Sequence, residues 1–189
     1  MSIVIANLQE ALKGESNAKR KYELYAEKAE QENLSQIAHL FRAVAFAEGI
    51  HIKNHKRALS VLKGSNVSLN DFVSIEEKKL QEHIGSTLEN LKDAIEGETY
   101  ETKKMYKKFQ RNAASEGENV AELSFSLARD AEKIHADLFT DYYKNLKKGK
   151  EIVSKKIYVC QICGNVESNS PPELCPVCDH EKSFFKEIQ

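Results

Sequence analysis

The chain has 189 residues, 30% of them charged, yet Lys+Arg 28 nearly cancels Asp+Glu 29 and leaves a formal net charge of -1. That length holds one ordinary domain plus a very small one, and the balance gives neither a basic excess for nucleic acid nor an acidic tail. Apolar runs are as short as Ile3–Ala6, too brief for a secretory or transmembrane segment, so the expected location is the cytoplasm with no membrane partner.

Four long amphipathic segments follow in order. The first, from about Ile3 to Glu32, places Leu8, Leu12, Glu15, Ala18, Tyr22, Tyr25 and Ala29 at steps of three and four, the period of one helix face. The second, from about Leu34 to Leu62, carries Leu34, Ile37, Phe41, Val44, Glu48, His51, His55, Ala58 and Leu62 on one stripe. A longer connection from about Val67 to Gly85, with a helical turn near Ile75 to Glu82, can cross the end of a bundle. The third segment, about Ser86 to Ser115, presents Leu91, Ala94, Glu98, Glu101, Met105 and Phe109. The fourth, about Val120 to Lys147, presents Ala121, Phe125, Ala128, Glu132, His135, Phe139 and Tyr142. The fold expected is an all-α, ferritin-like four-helix bundle with one long crossover, over residues 1–149.

Every stripe is interrupted by glutamate where apolar residues belong. Burying an unpaired carboxylate costs several kcal/mol, to order of magnitude, so a cluster of them at one level of a bundle requires cations. The second and fourth segments add a histidine three residues on, in Glu48-Gly49-Ile50-His51 and Glu132-Lys133-Ile134-His135. Two lone carboxylates plus two Glu-x-x-His pairs is the di-iron pattern of helical bundles. A single Glu-x-x-His is ordinarily a solvated face; its duplication on stripe positions carries the metal reading. Hard oxygen donors with few imidazoles suit iron or manganese better than zinc.

Tyr22 and Tyr106 lie about two turns along from Glu15 and Glu98, where core packing and a hydrogen bond to a ligand carboxylate are both open. His55, one turn beyond His51, is a support for the ligands or a packed histidine; His39, His83 and His180 read as structural. Gly14, Gly49 and Gly97 adjoin the glutamates, and mid-helix glycine costs about 1 kcal/mol against alanine. Close helix approach is one compensation.

All four cysteines and all three prolines lie beyond residue 159. Cys160-Gln161-Ile162-Cys163 and Cys175-Pro176-Val177-Cys178 form two Cys-x-x-Cys knuckles in residues 150–189, a stretch too short for a self-sufficient core. Four thiolates bind one zinc or one iron, and spacing does not choose between them.

These pieces resemble the rubrerythrin family from end to end. The resemblance rests on Gly14-Glu15-Ser16 with Tyr22, Ala47-Glu48-Gly49-Ile50-His51, Glu96-Gly97-Glu98-Thr99-Tyr100-Glu101, Ala131-Glu132-Lys133-Ile134-His135, and Tyr158-Val159-Cys160-Gln161-Ile162-Cys163-Gly164 with Cys175-Pro176-Val177-Cys178. It implies two irons in the bundle and one iron, or substituted zinc, at a C-terminal rubredoxin-like site. Glu48 and Glu132 would bridge the pair. Glu98 and His135 would serve one iron, and Glu15 the other, with Glu101 when oxidised and His51 when reduced. The resemblance implies a peroxidase that reduces hydrogen peroxide with electrons from rubredoxin or an NAD(P)H-dependent reductase. It also implies a homodimer in which one subunit's cysteine site lies near the other's iron pair, in some members with exchanged helices. A ferritin-like ferroxidase and a metal-binding protein with a structural zinc tail are the rival readings. Asp179 stands where the family often has glycine, a place asking for a left-handed residue.

Overall fold

The computed structural model describes residues 2–189. Helix α1 spans Ile3–Gln31 and α2 Ser35–Lys63; a short helix α3, Glu77–Glu82, sits in the crossover; α4 spans Thr87–Tyr100, α5 Tyr106–Glu116 and α6 Asn119–Lys147. Three strands follow, β1 Ile157–Cys160, β2 Val166–Ser168 and β3 Phe185–Ile188. Local chemistry fixes the helix ends. Ser2 caps α1 by accepting from the Val4 N–H, and Ser86 with Glu89 forms a reciprocal capping box at α4.

The bundle is built from α1, α2, the α4–α5 rod and α6, all from one chain. The striped residues meet in two apolar clusters. Tyr22, Tyr25, Phe41, Leu91 and Phe139 belong to one; Leu8, Leu12, Leu59, Tyr106, Phe109 and Phe125 belong to the other. The aromatic rings interlock, with Phe41 and Phe139 centroids 5.2 Å apart in the first and Phe109 and Phe125 5.4 Å apart in the second. Between the clusters lies the layer of glutamates and histidines, walled from water on both sides.

The third rod is not the continuous α-helix its periodicity predicts. Glu101–Met105 forms a π-helical segment. Such bulges free backbone carbonyls and recur at functional sites. Here Thr102 Oγ1 donates to the Glu98 carbonyl at 2.8 Å and the Arg129 Nε–H to the Thr102 carbonyl at 3.3 Å. Beyond the bulge, Met105, Tyr106 and Phe109 are buried.

The expectation of close helix approach at three glycines is not met. A Cβ at Gly14 would stand 3.8 Å from Glu101 Oε1, one at Gly49 3.8 Å from Lys19 Cε, and one at Gly97 would meet nothing within 4 Å. These are ordinary contacts or open space.

The cysteine module is an antiparallel sheet of order β2-β1-β3, with Tyr158 opposite Glu167 on one side and Glu187 on the other. It docks on α2 of its own bundle. Gln36 Oε1 accepts the Lys155 N–H at 2.9 Å, His39 Nε2 lies 2.8 Å from the Ile188 carbonyl, and Asn54 Nδ2 donates to the Ile162 carbonyl at 2.8 Å. Ile157, Val159 and Val166 join the bundle's first apolar cluster. The approach of the cysteine site to the ligand layer, anticipated between two subunits, is thus made within a single chain. Residues 148–156 have no regular structure, and such a linker spans about 30 Å when extended, enough to fold the module back. No helix among the described residues is long and apolar enough to cross a membrane.

Candidate metal centre

Four rods converge seven side chains on the central layer. Glu15, Glu48, Glu98, Glu132 and His135 are fully buried, and His51 is 1% exposed. Donor atoms of Glu15, Glu48, His51 and Glu132 lie within 4.8 Å of one another, and so do those of Glu48, Glu98, Glu132 and His135. The two clusters share Glu48 and Glu132, the arrangement needed for two ions bridged by two carboxylates. Glu132 divides its oxygens between the histidines: Oε1 is 2.8 Å from His51 Nδ1 and Oε2 2.6 Å from His135 Nδ1. The imidazoles lie near-parallel, centroids 5.8 Å apart.

Charge and hydrogen bonding test whether cations fit. Glu15 Oε2, Glu48 Oε1 and Glu98 Oε2 are buried with no hydrogen-bond partner, a state protein interiors rarely tolerate. Burial, then the neighbouring carboxylates, pushes Glu48, Glu101 and Glu132 well above the usual carboxylate range. Burial also acts to raise Glu15 and Glu98, but their histidine neighbours outweigh it and both are lowered. His51 and His135 are raised, as facing glutamates overcome the desolvation that disfavours imidazolium. In the metal-free layer, protons thus supply positive charge that a metal pair would supply instead. The donor set fits two hard divalent or trivalent ions.

Glu101 stands apart. It belongs to neither cluster, keeps some solvent exposure, and begins the π-helical segment. The arrangement therefore has His51, and not Glu101, gathered with Glu15.

The tyrosines pair across the bundle rather than along their own helices. Tyr22 Oη donates to Glu98 Oε1 at 2.5 Å, and Tyr106 Oη donates to Glu15 Oε1. Burial and the adjacent carboxylates raise both phenols well above their ordinary value, so both remain protonated donors. His55 is fully buried between Tyr106 Oη and Ser124 Oγ, a packed histidine hydrogen-bonded to the layer's supports. Its pKa is lowered by burial.

The cysteines are all free thiols. Sγ atoms of Cys160 and Cys178 are 3.7 Å apart, and those of Cys163 and Cys175 3.5 Å. A tetrahedron with metal–sulfur bonds of about 2.3 Å has edges of about 3.8 Å, so four thiolates here fit one ion. The knuckles repeat one turn: the Gly164 N–H donates to the Cys160 carbonyl and the Asp179 N–H to the Cys175 carbonyl, each at 2.9 Å. Gly164 has φ +83° and Asp179 φ +57°, so Asp179 does adopt the left-handed turn.

The two centres touch. His51 Nε2 lies 3.0 Å from the Cys163 carbonyl and His135 Nε2 3.0 Å from the Gly164 carbonyl. With each Nε2–H donating to a carbonyl, the neutral imidazole turns its Nδ1 lone pair toward the carboxylate layer, the orientation a metal-ligating histidine requires.

The family model for Rubrerythrin matches residues 6–143, and that for the Rubrerythrin, rubredoxin-like domain matches residues 158–186. The chain belongs to the rubrerythrin family. It is 37% identical to Rubrerythrin-2 of Clostridium acetobutylicum over 182 residues, covering 95% of this chain and 93% of that one. It is 33% identical to a putative rubrerythrin of Methanocaldococcus jannaschii, covering 98% and 93%. A mixed-valent nigerythrin structure superimposes with a TM-score of 0.86 at 30% identity, covering 98% of this chain and 86% of the other. As a rubrerythrin-family protein it has a ferritin-like di-iron bundle with carboxylate and histidine ligands, joined to a four-cysteine rubredoxin-like site.

Two contributors escaped the sequence reading. Ser124, between Ala121 and Phe125 on α6, belongs to no motif. Gly164 follows the first knuckle in sequence, and a Cβ there would stand 2.5 Å from His51 Nε2 and 3.2 Å from the Ala47 carbonyl. A second stripe on α2, including Ala43 and Ala47, is buried as well. Alanines on that face were the available signal, since a helix apolar or small on several sides is buried on several sides.

Proposed function

We propose that the protein is a non-haem di-iron peroxidase reducing hydrogen peroxide to water, with electrons entering through the four-cysteine iron. Glu48 and Glu132 would be shared by the two irons, Glu98 and His135 would hold one of them, and Glu15 would hold the other with His51 or Glu101 according to redox state. Cys160, Cys163, Cys175 and Cys178 hold the relay iron. When bound, the iron pair supplies two electrons, which with two protons convert one hydrogen peroxide to two waters.

The observation that carries this reading is the pair of hydrogen bonds from His51 and His135 to the Cys163 and Gly164 carbonyls. A storage protein has no use for an electron relay locked onto its ligand histidines. The remaining residues prepare the layer. Tyr22 and Tyr106 keep their protons and fix one oxygen each of Glu98 and Glu15. The apolar clusters exclude water above and below. Glu101 is the half-buried member of the bundle's candidate ligands. The physical sense of its exchange with His51 is that a ferric ion favours anionic oxygen while a ferrous ion accepts neutral imidazole more readily. The protein works in the cytoplasm as a homodimer fed by rubredoxin or an NAD(P)H-dependent reductase.

The test is stopped-flow re-oxidation of the anaerobically reduced, iron-loaded protein by hydrogen peroxide and by oxygen. Fast re-oxidation by peroxide and slow re-oxidation by oxygen is expected. The reverse order would move the protein to the oxygen-consuming or ferroxidase class.

A further inference from the structure

One turn below the ligand layer a chain of hydrogen bonds crosses all four rods of the bundle. It runs from Ser124 on α6 to His55 on α2, then to Tyr106 on α5 and to Glu15 on α1. Ser124 Oγ lies 2.7 Å from His55 Nδ1, and His55 Nε2 lies 2.9 Å from Tyr106 Oη, which donates to Glu15 Oε1. All four residues are buried, and the His55 ring is flanked by Phe125 and Tyr106 at centroid distances of 5.4 and 5.6 Å.

Proton counting fixes the direction of every link. Tyr106 has one hydroxyl proton and two acceptors within reach, Glu15 and His55. A hydrogen bond to a carboxylate is about twice as strong as one between neutral groups, so the proton goes to Glu15. Toward His55 the phenol oxygen can then only accept, so a neutral His55 carries its proton on Nε2. Nδ1 is left as an acceptor, and Ser124 must donate to it. The opposite tautomer would present a bare Nε2 lone pair to Tyr106 and compete with Glu15 for its proton. Ser124 supplies the donor that the favoured tautomer needs at Nδ1, and so supports Tyr106 on its carboxylate.

Glu15 Oε1 accepts the Tyr106 hydroxyl and lies 3.6 Å from His51 Nδ1 in the ligand layer. We propose that Ser124 and His55 are positioning residues that act through Tyr106 to keep its hydrogen bond on Glu15 and so lower the donor strength of that carboxylate toward the iron it would serve. Links aligned in one direction polarise one another, so each member of the chain contributes. This inference rests on the proposed role of Glu15 as an iron ligand.

The test is a potentiometric titration of the full-length, iron-loaded protein, following the mixed-valent electron paramagnetic resonance signal of the bundle iron. His55→Leu, Ser124→Ala and Tyr106→Phe should each lower the midpoint potential and change the signal, because an unrestrained Glu15 carboxylate stabilises the ferric state. The double variant His55→Leu/Tyr106→Phe should shift no further than Tyr106→Phe alone. His55→Gln, whose amide N–H can donate to Tyr106, should return toward wild type. Additive shifts in the double variant, or a wild-type potential and signal in His55→Leu, would overturn the proposal. If His55→Leu does not fold, Ser124→Ala removes a single oxygen and carries the same prediction with a smaller shift; no shift there refutes it. A wild-type bundle that forms no iron pair would sink the Glu15 assignment and this inference together. An iron pair present and unmoved by the variants sinks only the positioning role.

Discussion

Replacing Gly164 with alanine should uncouple the two metal centres while leaving both assembled. At φ +83° an L-residue costs about 1–2 kcal/mol in backbone strain. Its Cβ would lie 2.5 Å from His51 Nε2 and 3.0 Å from Cδ2, an overlap costing about 1–3 kcal/mol to relieve. Relief by withdrawal breaks the hydrogen bond from His51 to the Cys163 carbonyl, worth about 1 kcal/mol. The sum is about 3–6 kcal/mol against the docked knuckle, and at 1.4 kcal/mol per tenfold this lowers the docked population's equilibrium constant by about a hundred- to about twenty-thousand-fold. The assay is the rate at which the bundle iron is reduced by electrons entering at the cysteine iron, whose visible absorption reports that its own site is intact. Asp179→Ala is the control: it alters the equivalent left-handed position, φ +57°, of the other knuckle, where the side chain is exposed. Gly164→Ala should slow reduction strongly and Asp179→Ala little. A Gly164→Ala protein with normal cysteine-iron absorption and a wild-type reduction rate would refute the claim that this contact couples the centres.

Three further outcomes are expected. In the metal-free protein Glu48, Glu101 and Glu132, together with His51 and His135, have raised pKa values, so the folded state binds more protons than the unfolded chain. Their contribution is full below the unfolded values and is lost as pH rises through the raised ones, so thermal unfolding of the metal-free protein should occur at lower temperature at about pH 8 than at about pH 5. Iron loading should release protons, measurable with an indicator dye in weak buffer, and abolish that trend. Glu101→Ala should retain the reduced iron pair, because Glu101 lies outside both clusters, yet slow re-oxidation by peroxide in stopped flow. Full turnover would exclude the ligand exchange. Cys163→Ser should leave the bundle helical by circular dichroism while abolishing its reduction by an external reductase; reduction at the normal rate would remove the relay role.

Much of this protein was legible in its sequence, because a helix face repeats every 3.6 residues and a carboxylate on that face has few innocent explanations. The stripes of α1, α2 and α6, the two Glu-x-x-His pairs and the two cysteine knuckles needed only spacing. The crosswise pairing of Tyr22 with Glu98 and Tyr106 with Glu15 did not follow, since periodicity says which residues face inward and not which rod they face. The π-helical turn at Glu101 was equally hidden, as one extra residue per turn leaves the local composition unchanged. Ser124 became meaningful only when α2 set His55 beside it, and Gly164 only when the module settled on Ala47 and His51. The sequence by itself determined which chemical groups enter the bundle and how the cysteines cluster. Tertiary packing decided which oxygen each carboxylate keeps free and how the cysteine site reaches the histidines, because those depend on contacts between residues up to 149 positions apart.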